Sequence, residues 1–320
     1  TSAPAADTLP AAEVVVRERD YMGTYVTISV AAPRSPEVEA AIETAYTEVE
    51  RLAALLSEWS EESEISAVNQ QAGVKPVVVG PELFAVIQSA HQVSADTGGA
   101  FDITFHALGG LWDFKSYRPE LPKPEEIARR VALVDYRKVV LDAGRRSVFL
   151  EKEGMKMGLG GIAKGYIVDG ASAVLKAKGY PDHLVTAGGD LYASGTKGGR
   201  KWRIGVRDPK DRGMVGTIEV QDEGLATSGN YEKFFIRDGV RYHHILDPKT
   251  GMPARGMSSV TVLAPSAMLA DAYATAVFVL GRDAGLAAAR AKGIEVLCFT
   301  EDFQRSGTPG IEARVEPLTE

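Results

Sequence analysis

The chain has 320 residues, 45% hydrophobic and 25% charged, which suffices for a large core and excludes a disordered or fibrous protein. Its net charge of -7 argues against a nucleic-acid binder, because neutralising phosphates takes clustered Lys and Arg, so any bound anion must be held locally. The single cysteine, Cys298, excludes an intramolecular disulfide and a Cys-based metal cluster, and no stretch approaches the ~18 apolar residues of a membrane span.

Residues 1–12, rich in Ala, Pro and Thr, read as a flexible segment of the kind left by a removed export signal or lipoprotein leader. They point to a periplasmic or exported protein, in one form an inner-membrane lipoprotein. From Val14, VVVRERD, the turn at Tyr21 to Gly23 and TYVTISVA predict a hairpin. Ser35 and Pro36 open a long amphipathic helix carrying Val38, Ile42, Val49 and Leu52, and a second helix runs from Pro81 to the glycine pair Gly98 and Gly99. A Pro-rich loop near Leu121 to Pro124 precedes a short helix to Val131 and strands near Val139 and Val148. Further on, helix Ile162 to Lys178 leads to strands through His183 to Ala193, Trp202 to Val206 and Gly216 to Val220, then a hairpin from Phe234 to Leu246. The last third adds strand Ser259 to Ala264, helices Ala267 to Leu280 and Ala284 to Lys292, and strand Ile294 to Thr300, which buries Cys298 as a small hydrophobe. Without a repeat or long linker, residues 13–320 read as one interwoven α+β domain of mixed sheets flanked by helices.

Three segments could carry chemistry. In MGLGGIAKGYIVDG, Gly158, Gly160 and Gly161 run into a helix whose free N–H groups can meet oxyanions, with Lys164 one turn inside; glycine content alone would make this a flexible loop before a helix. In LADAYATAVFVL, Asp271 and Thr275 lie four apart on one face of an apolar helix, oxygen donors suited to a hard ion such as Mg²⁺. The plain alternative has Thr275 bonding back to the Asp271 carbonyl while Asp271 faces water. In RYHHILDPKTGMP, His243 and His244 stand on opposite strand faces, so one imidazole can point at a site and accept a hydroxyl proton; a surface histidine beside a turn is the ordinary alternative. Weaker signals are TGGAFDIT, TAGGDLYASG and ATSGNYEKF, each with glycine beside a polar residue, and Trp59, an aromatic in an acidic, serine-rich stretch that fits a stacking platform.

Taken in order, MGTYVTISV, LSEWSEESEISAVNQ, TGGAFDIT, LGGIAKGYIVDG, AGGDL, ATSGNYE, HILDPKTGMP and DAYATA resemble the ApbE family of FAD:protein FMN transferases over nearly the whole chain. The resemblance implies a T-fold-related architecture with an FAD cleft between its two parts. It implies Mg²⁺ held by the Gly161 carbonyl, Asp271 and Thr275, and an FAD cleft lined by Met22, Ala100, Phe101, Asp102, Gly158, Gly160, Lys164 and Leu246, with Trp59 over the isoalloxazine ring. His244 matches the histidine of the HxxDPxTG block. Where many members have Asp before LGG this sequence has Gly158, which leaves open an acidic contact to FAD.

The expected reaction is Mg²⁺-dependent transfer of FMN from FAD to a Thr or Ser hydroxyl of an acceptor flavoprotein, either a membrane redox subunit or an exported protein, forming a phosphoester and releasing AMP. Mg²⁺ and Lys164 would neutralise the diphosphate, and His244 or a nearby carboxylate would take the proton, with His244 preferred. A Mg²⁺-dependent FAD pyrophosphatase would use the same site with water as acceptor, and a non-catalytic periplasmic FAD carrier would leave FAD intact. An oxidoreductase fits poorly, because the conspicuous residues gather on phosphate and metal.

Overall fold

The computed structural model of the protein describes residues 13–116, 119–210 and 213–317. The segment 1–12, expected to be flexible, lies outside the described residues. Strands β1 (Val15–Tyr21) and β2 (Thr24–Val30) form the expected hairpin. Its two-residue turn, Met22-Gly23, has φ of 55° and 68°, the mirror-image turn that matches the right-handed twist of paired strands. Helix α1 (Pro36–Leu55) starts where Ser35 predicts, the Ser35 hydroxyl accepting the Val38 amide at 3.3 Å, a cap worth about 1 kcal/mol.

There follow α2 (Glu64–Gln70), β3 (Val77–Val78), α3 (Pro81–Asp96), a 3-10 turn at Ile103–Leu108, α4 (Pro124–Val131), β4 (Val139–Asp142), β5 (Ser147–Leu150) and α5 (Ala163–Ala177). The second half supplies β6 (His183–Ala187), β7 (Asp190–Ser194), β8 (Trp202–Arg207), β9 (Met214–Val220), β10 (Glu223–Gly229), β11 (Phe234–Arg237), β12 (Val240–His243) and β13 (Met257–Ala264). Helices α6 (Ala267–Leu280) and α7 (Arg282–Lys292), strands β14 (Glu295–Thr300) and β15 (Arg305–Gly307), α8 (Pro309–Glu312) and β16 (Val315–Glu316) complete the described chain. Helix α2, capped by Ser63 on the Ser66 amide at 3.2 Å, and strands β10, β15 and β16 were not expected from sequence. Neither was the short helix α8.

The largest sheet has the order β1-β2-β6-β7-β10-β13-β14-β15, with every pairing antiparallel. N-terminal, central and C-terminal strands share it, which is the interweaving the motif order implies. Helices α1, α5 and α6 pack in sequence across one face. The smaller sheet β16-β9-β8 closes part of the other face. Alternation then sorts side chains: Val260, Val262, Val296 and Cys298 enter the main core, while Leu263, Leu297 and Phe299 enter a second core with Trp202, Ile218 and Ile311. Burial on both faces explains why β13 and β14 are almost unbroken apolar runs. Buried Cys298 has its thiol pushed up to about 11 by desolvation, the state of an inert core residue.

Candidate active site

The glycine turn enters α5 without a side-chain cap, its N-cap residue being Ile162. Two close approaches dock this junction onto α6. A Cβ on Gly165 would lie 2.2 Å from the Ala267 carbonyl oxygen, so only glycine lets the helices meet there. A Cβ on Gly161 would lie 3.1 Å from Phe101 Cε2 and 3.4 Å from Thr275 Oγ1. The Gly165 amide reaches the Asp271 carboxylate at 3.4 Å. The turn, Phe101 and the two oxygen-bearing side chains of α6 therefore meet in one place.

Neither plain alternative for α6 is realised. Asp271 is only 4% exposed, and Thr275 does not bond back to its own helix, whereas Thr44, Thr47 and Thr97 each bond to the carbonyl four residues earlier. Among the described residues the Thr275 hydroxyl and the Gly161 carbonyl have no hydrogen-bond partner, and Asp271 has the one long contact. A carbonyl, a carboxylate and a hydroxyl with unused bonding capacity, brought to one junction, are the donor types a hard divalent cation prefers, so these residues fit Mg²⁺. Desolvation, with the neighbouring charge of Asp190, raises the Asp271 pKa, and Lys164 and the Gly165 amide oppose that rise.

Lys164 forms an ion pair with Asp190, a carboxylate 2% exposed at the head of β7. Burial disfavours the ammonium, yet Asp190 and Asp271 together carry its pKa above the usual lysine range, so it is a fixed positive charge. Asp190 was not singled out from sequence. Its only signal was an acidic residue opening an apolar strand in AGGDLYA.

His243 and His244 do lie on opposite strand faces. His243 is buried, its Nε2 at 2.9 Å from the Ala254 carbonyl and its ring edge-on to Phe278, with Nδ1 unpartnered. His244 is reached by solvent, and its Nδ1 lies 3.3 Å from the Lys233 carbonyl, which leaves the Nε2 lone pair free if Nδ1 carries the proton. Crowding by the protein, with Lys233 and Lys164 adding positive charge, lowers its pKa to about 4, so the ring is neutral at neutral pH.

The remaining residues divide. Ala100 and Phe101 are buried beside the glycine turn. The Asp102 carboxylate is committed to the fold, accepting the Thr104 amide and hydroxyl at 2.8 and 2.6 Å and the Tyr136 amide at 2.8 Å, and burial raises its pKa. Leu246 packs in a small apolar cluster with Trp112, Ile127 and Tyr242. Met22 tips the hairpin and is 40% exposed. Trp59 is 82% exposed. It lies edge-on to His106 at 5.8 Å, a histidine that no sequence signal marked. Gly158 and Gly160 lie against the carboxylate of Glu58, a residue also passed over.

Residues 22–298 match the model of the ApbE family. The chain is 37% identical over 327 residues to the FAD:protein FMN transferase of Treponema pallidum, covering 94% of this chain and 90% of that protein. The crystal structure of the ApbE protein from Thermotoga maritima superposes with a TM-score of 0.88 at 33% identity, covering 95% of this chain and 100% of that one. The flavin transferase ApbE from Vibrio cholerae gives 0.86 at 30% identity, covering 95% and 100%.

Proposed function

The chain belongs to the ApbE family, and from that membership we propose how it works as an enzyme that moves FMN from FAD to an acceptor protein. In the proposed reaction a Thr or Ser hydroxyl of the acceptor attacks the FMN-side phosphorus of FAD. A phosphoester P–O bond forms, the diphosphate P–O bond breaks, and AMP leaves with the electron pair. The observation that carries this reading is the meeting of Gly161, Asp271 and Thr275 beside the Lys164 charge.

The Gly161 carbonyl, Asp271 and Thr275 would hold Mg²⁺, which when bound neutralises diphosphate charge. Lys164 holds a positive charge where the diphosphate and the departing AMP need one, and Asp190 keeps that ammonium in place. At the glycine turn and the start of α5, the Gly160, Gly161 and Lys164 amides have no hydrogen-bond partner among the described residues and would donate to nonbridging oxygens. His244 accepts the hydroxyl proton at its free ring nitrogen. A pKa near 4 makes it a weak base in the free protein, and an adjacent diphosphate raises that value by favouring the imidazolium. Trp59 supplies an exposed face on which a flat flavin ring can stack.

The acceptor is proposed to be a membrane redox subunit or exported flavoprotein with an accessible Thr or Ser. A transferase and an FAD pyrophosphatase share this site and differ only in the attacking oxygen. Incubating the protein with FAD and Mg²⁺, with and without a Thr-bearing acceptor, separates them: AMP release that requires the acceptor supports transfer. Equal release of AMP and free FMN without it would overturn the transferase reading.

A further inference from the structure

Beside the glycine turn stands a cluster that the transfer chemistry leaves unassigned. Glu58, just past α1, has a side chain only 9% exposed. Its Oε2 accepts the Leu159 amide at 2.5 Å. A Cβ on Gly158 would lie 2.6 Å from that oxygen and 2.9 Å from His106 Nδ1, so the Glu58 carboxylate fills the space a side chain at 158 would need. The acidic group absent from position 158 is thus delivered to the same place from another element. Asn69 steadies the backbone alongside, accepting the Met157 amide at 2.7 Å and donating to the Met157 carbonyl at 2.9 Å.

His106 faces this carboxylate with Nδ1 3.7 Å from Glu58 Oε1, too far for a hydrogen bond, and among the described residues neither ring nitrogen is bonded. Burial and Lys156 hold the imidazole below its usual range against the pull of Glu58, so one nitrogen donates and the other accepts. Trp59 meets the His106 ring at 79°. An exposed aromatic plane therefore stands at a right angle to a sheltered polar pair with spare hydrogen-bonding capacity. Sheltered polar groups are costly without partners, and exceptions gather where a ligand completes them. A flat heteroaromatic ring with N–H and C=O groups on one edge would do so, its face on Trp59 and its edge on the pair.

We infer that Glu58 and His106 read the polar edge of the flavin's isoalloxazine ring while Trp59 covers its face, so that this pair selects the flavin half of FAD. The inference rests on the proposed binding of FAD with its ring at Trp59. Glu58 accepts the ring N–H and His106 donates to an adjacent ring carbonyl.

The test is calorimetric titration of the full chain with Mg²⁺ and three probes: FAD, FAD methylated at the ring N3, and ADP, which lacks the ring. A hydrogen bond to a charged group is worth about 1.5–3 kcal/mol, so the wild type should bind FAD about tenfold or more tightly over its N3-methyl analogue. Glu58→Gln, which keeps the acceptor for the Leu159 amide, and His106→Phe, which keeps the edge contact with Trp59, should each narrow that ratio to about threefold or less. Affinity for ADP should not change in either. Discrimination retained in both variants, or ADP affinity lost in parallel with FAD, would overturn the inference. A wild type that transfers FMN but does not discriminate would sink this inference alone, whereas a wild type that binds no FAD would sink the functional reading beneath it.

Discussion

The Thr275 hydroxyl stands 3.4 Å from the point a β-carbon on Gly161 would occupy, so the glycine turn and α6 meet with no side chain between them. This contact joins two segments more than a hundred residues apart. The hydroxyl bonds to nothing else among the described residues, which leaves it free for the cation of the proposed mechanism.

Thr275→Val should separate stability from function. Removing an unpartnered hydroxyl should change the unfolding free energy by less than about 1 kcal/mol. FMN transfer at saturating FAD and Mg²⁺ should fall about 100-fold, the scale of losing one preorganised electrostatic contact. Thermal melts and a transfer assay on the same preparation check both. An unchanged rate removes Thr275 from the site.

Asp190→Asn leaves Lys164 without its ion-pair partner. Losing one partner of a buried pair costs about 3–5 kcal/mol, but the Lys164 side chain is 36% exposed, so water moderates the loss to roughly 1–3 kcal/mol. With Asp190 neutral, burial is less opposed and the Lys164 pKa should drop. The KM for FAD should rise, and its increase with added salt, which screens the Lys164 charge, should become smaller. A variant whose KM and salt response match the wild type would show that Asp190 does not position the ammonium.

Trp59→Ala should leave stability almost untouched, since the side chain is 82% exposed. Stacking contributes roughly 0.5–1.5 kcal/mol, so the Kd for FAD should rise about 3–10-fold while that for ADP stays constant. Equal losses for both ligands would place Trp59 away from the ring.

His183 provides a pH test remote from the site. Its Nδ1 lies 2.7 Å from the Tyr180 carbonyl and its Nε2 2.8 Å from the Ser172 hydroxyl, and burial lowers its pKa to about 4. The unfolded chain titrates near ~6.5, so between about 4 and about 6.5 it binds more protons than the folded one. The stabilisation is complete above that window and is lost as pH falls through it, amounting to about 2 kcal/mol between pH ~7.5 and ~5. His243 and His244 act in the same direction, while Asp169, raised to about 6 by burial, and Asp271 act in the opposite one. Only the difference between wild type and His183→Gln isolates the effect. Denaturant unfolding at the two pH values should give a variant slope smaller by about 2 kcal/mol, and parallel slopes would contradict the assignment.

How far the sequence discloses this structure follows from where each signal resides. Ser35 and Ser266 cap helices through local hydrogen bonds, and α1, α3 and α6 carry apolar residues at helical spacing, so those elements were readable in the chain. Strand β10 was not, because Glu223–Gly229 is mostly small residues whose extended form is imposed by β7 and β13 on either side. Within the site, the spacing of Asp271 and Thr275 already placed them on one helix face. Glu58 and His106 meet only in three dimensions, and nothing beside either residue signals the other. Asp102 is similar: nothing in its surroundings in the chain announces that its carboxylate accepts from Thr104 and from the distant Tyr136 amide.

The most direct measurement is mass spectrometry of a Thr-bearing acceptor incubated with FAD, Mg²⁺ and either the wild type or a folded Asp271→Ala variant. The wild type should leave one FMN phosphoester on the acceptor with AMP released in equal amount, and the variant should leave the acceptor unmodified. Full modification by the variant at saturating FAD and metal would contradict the cation-holding role given to Asp271, and with it the convergence on which the mechanism stands.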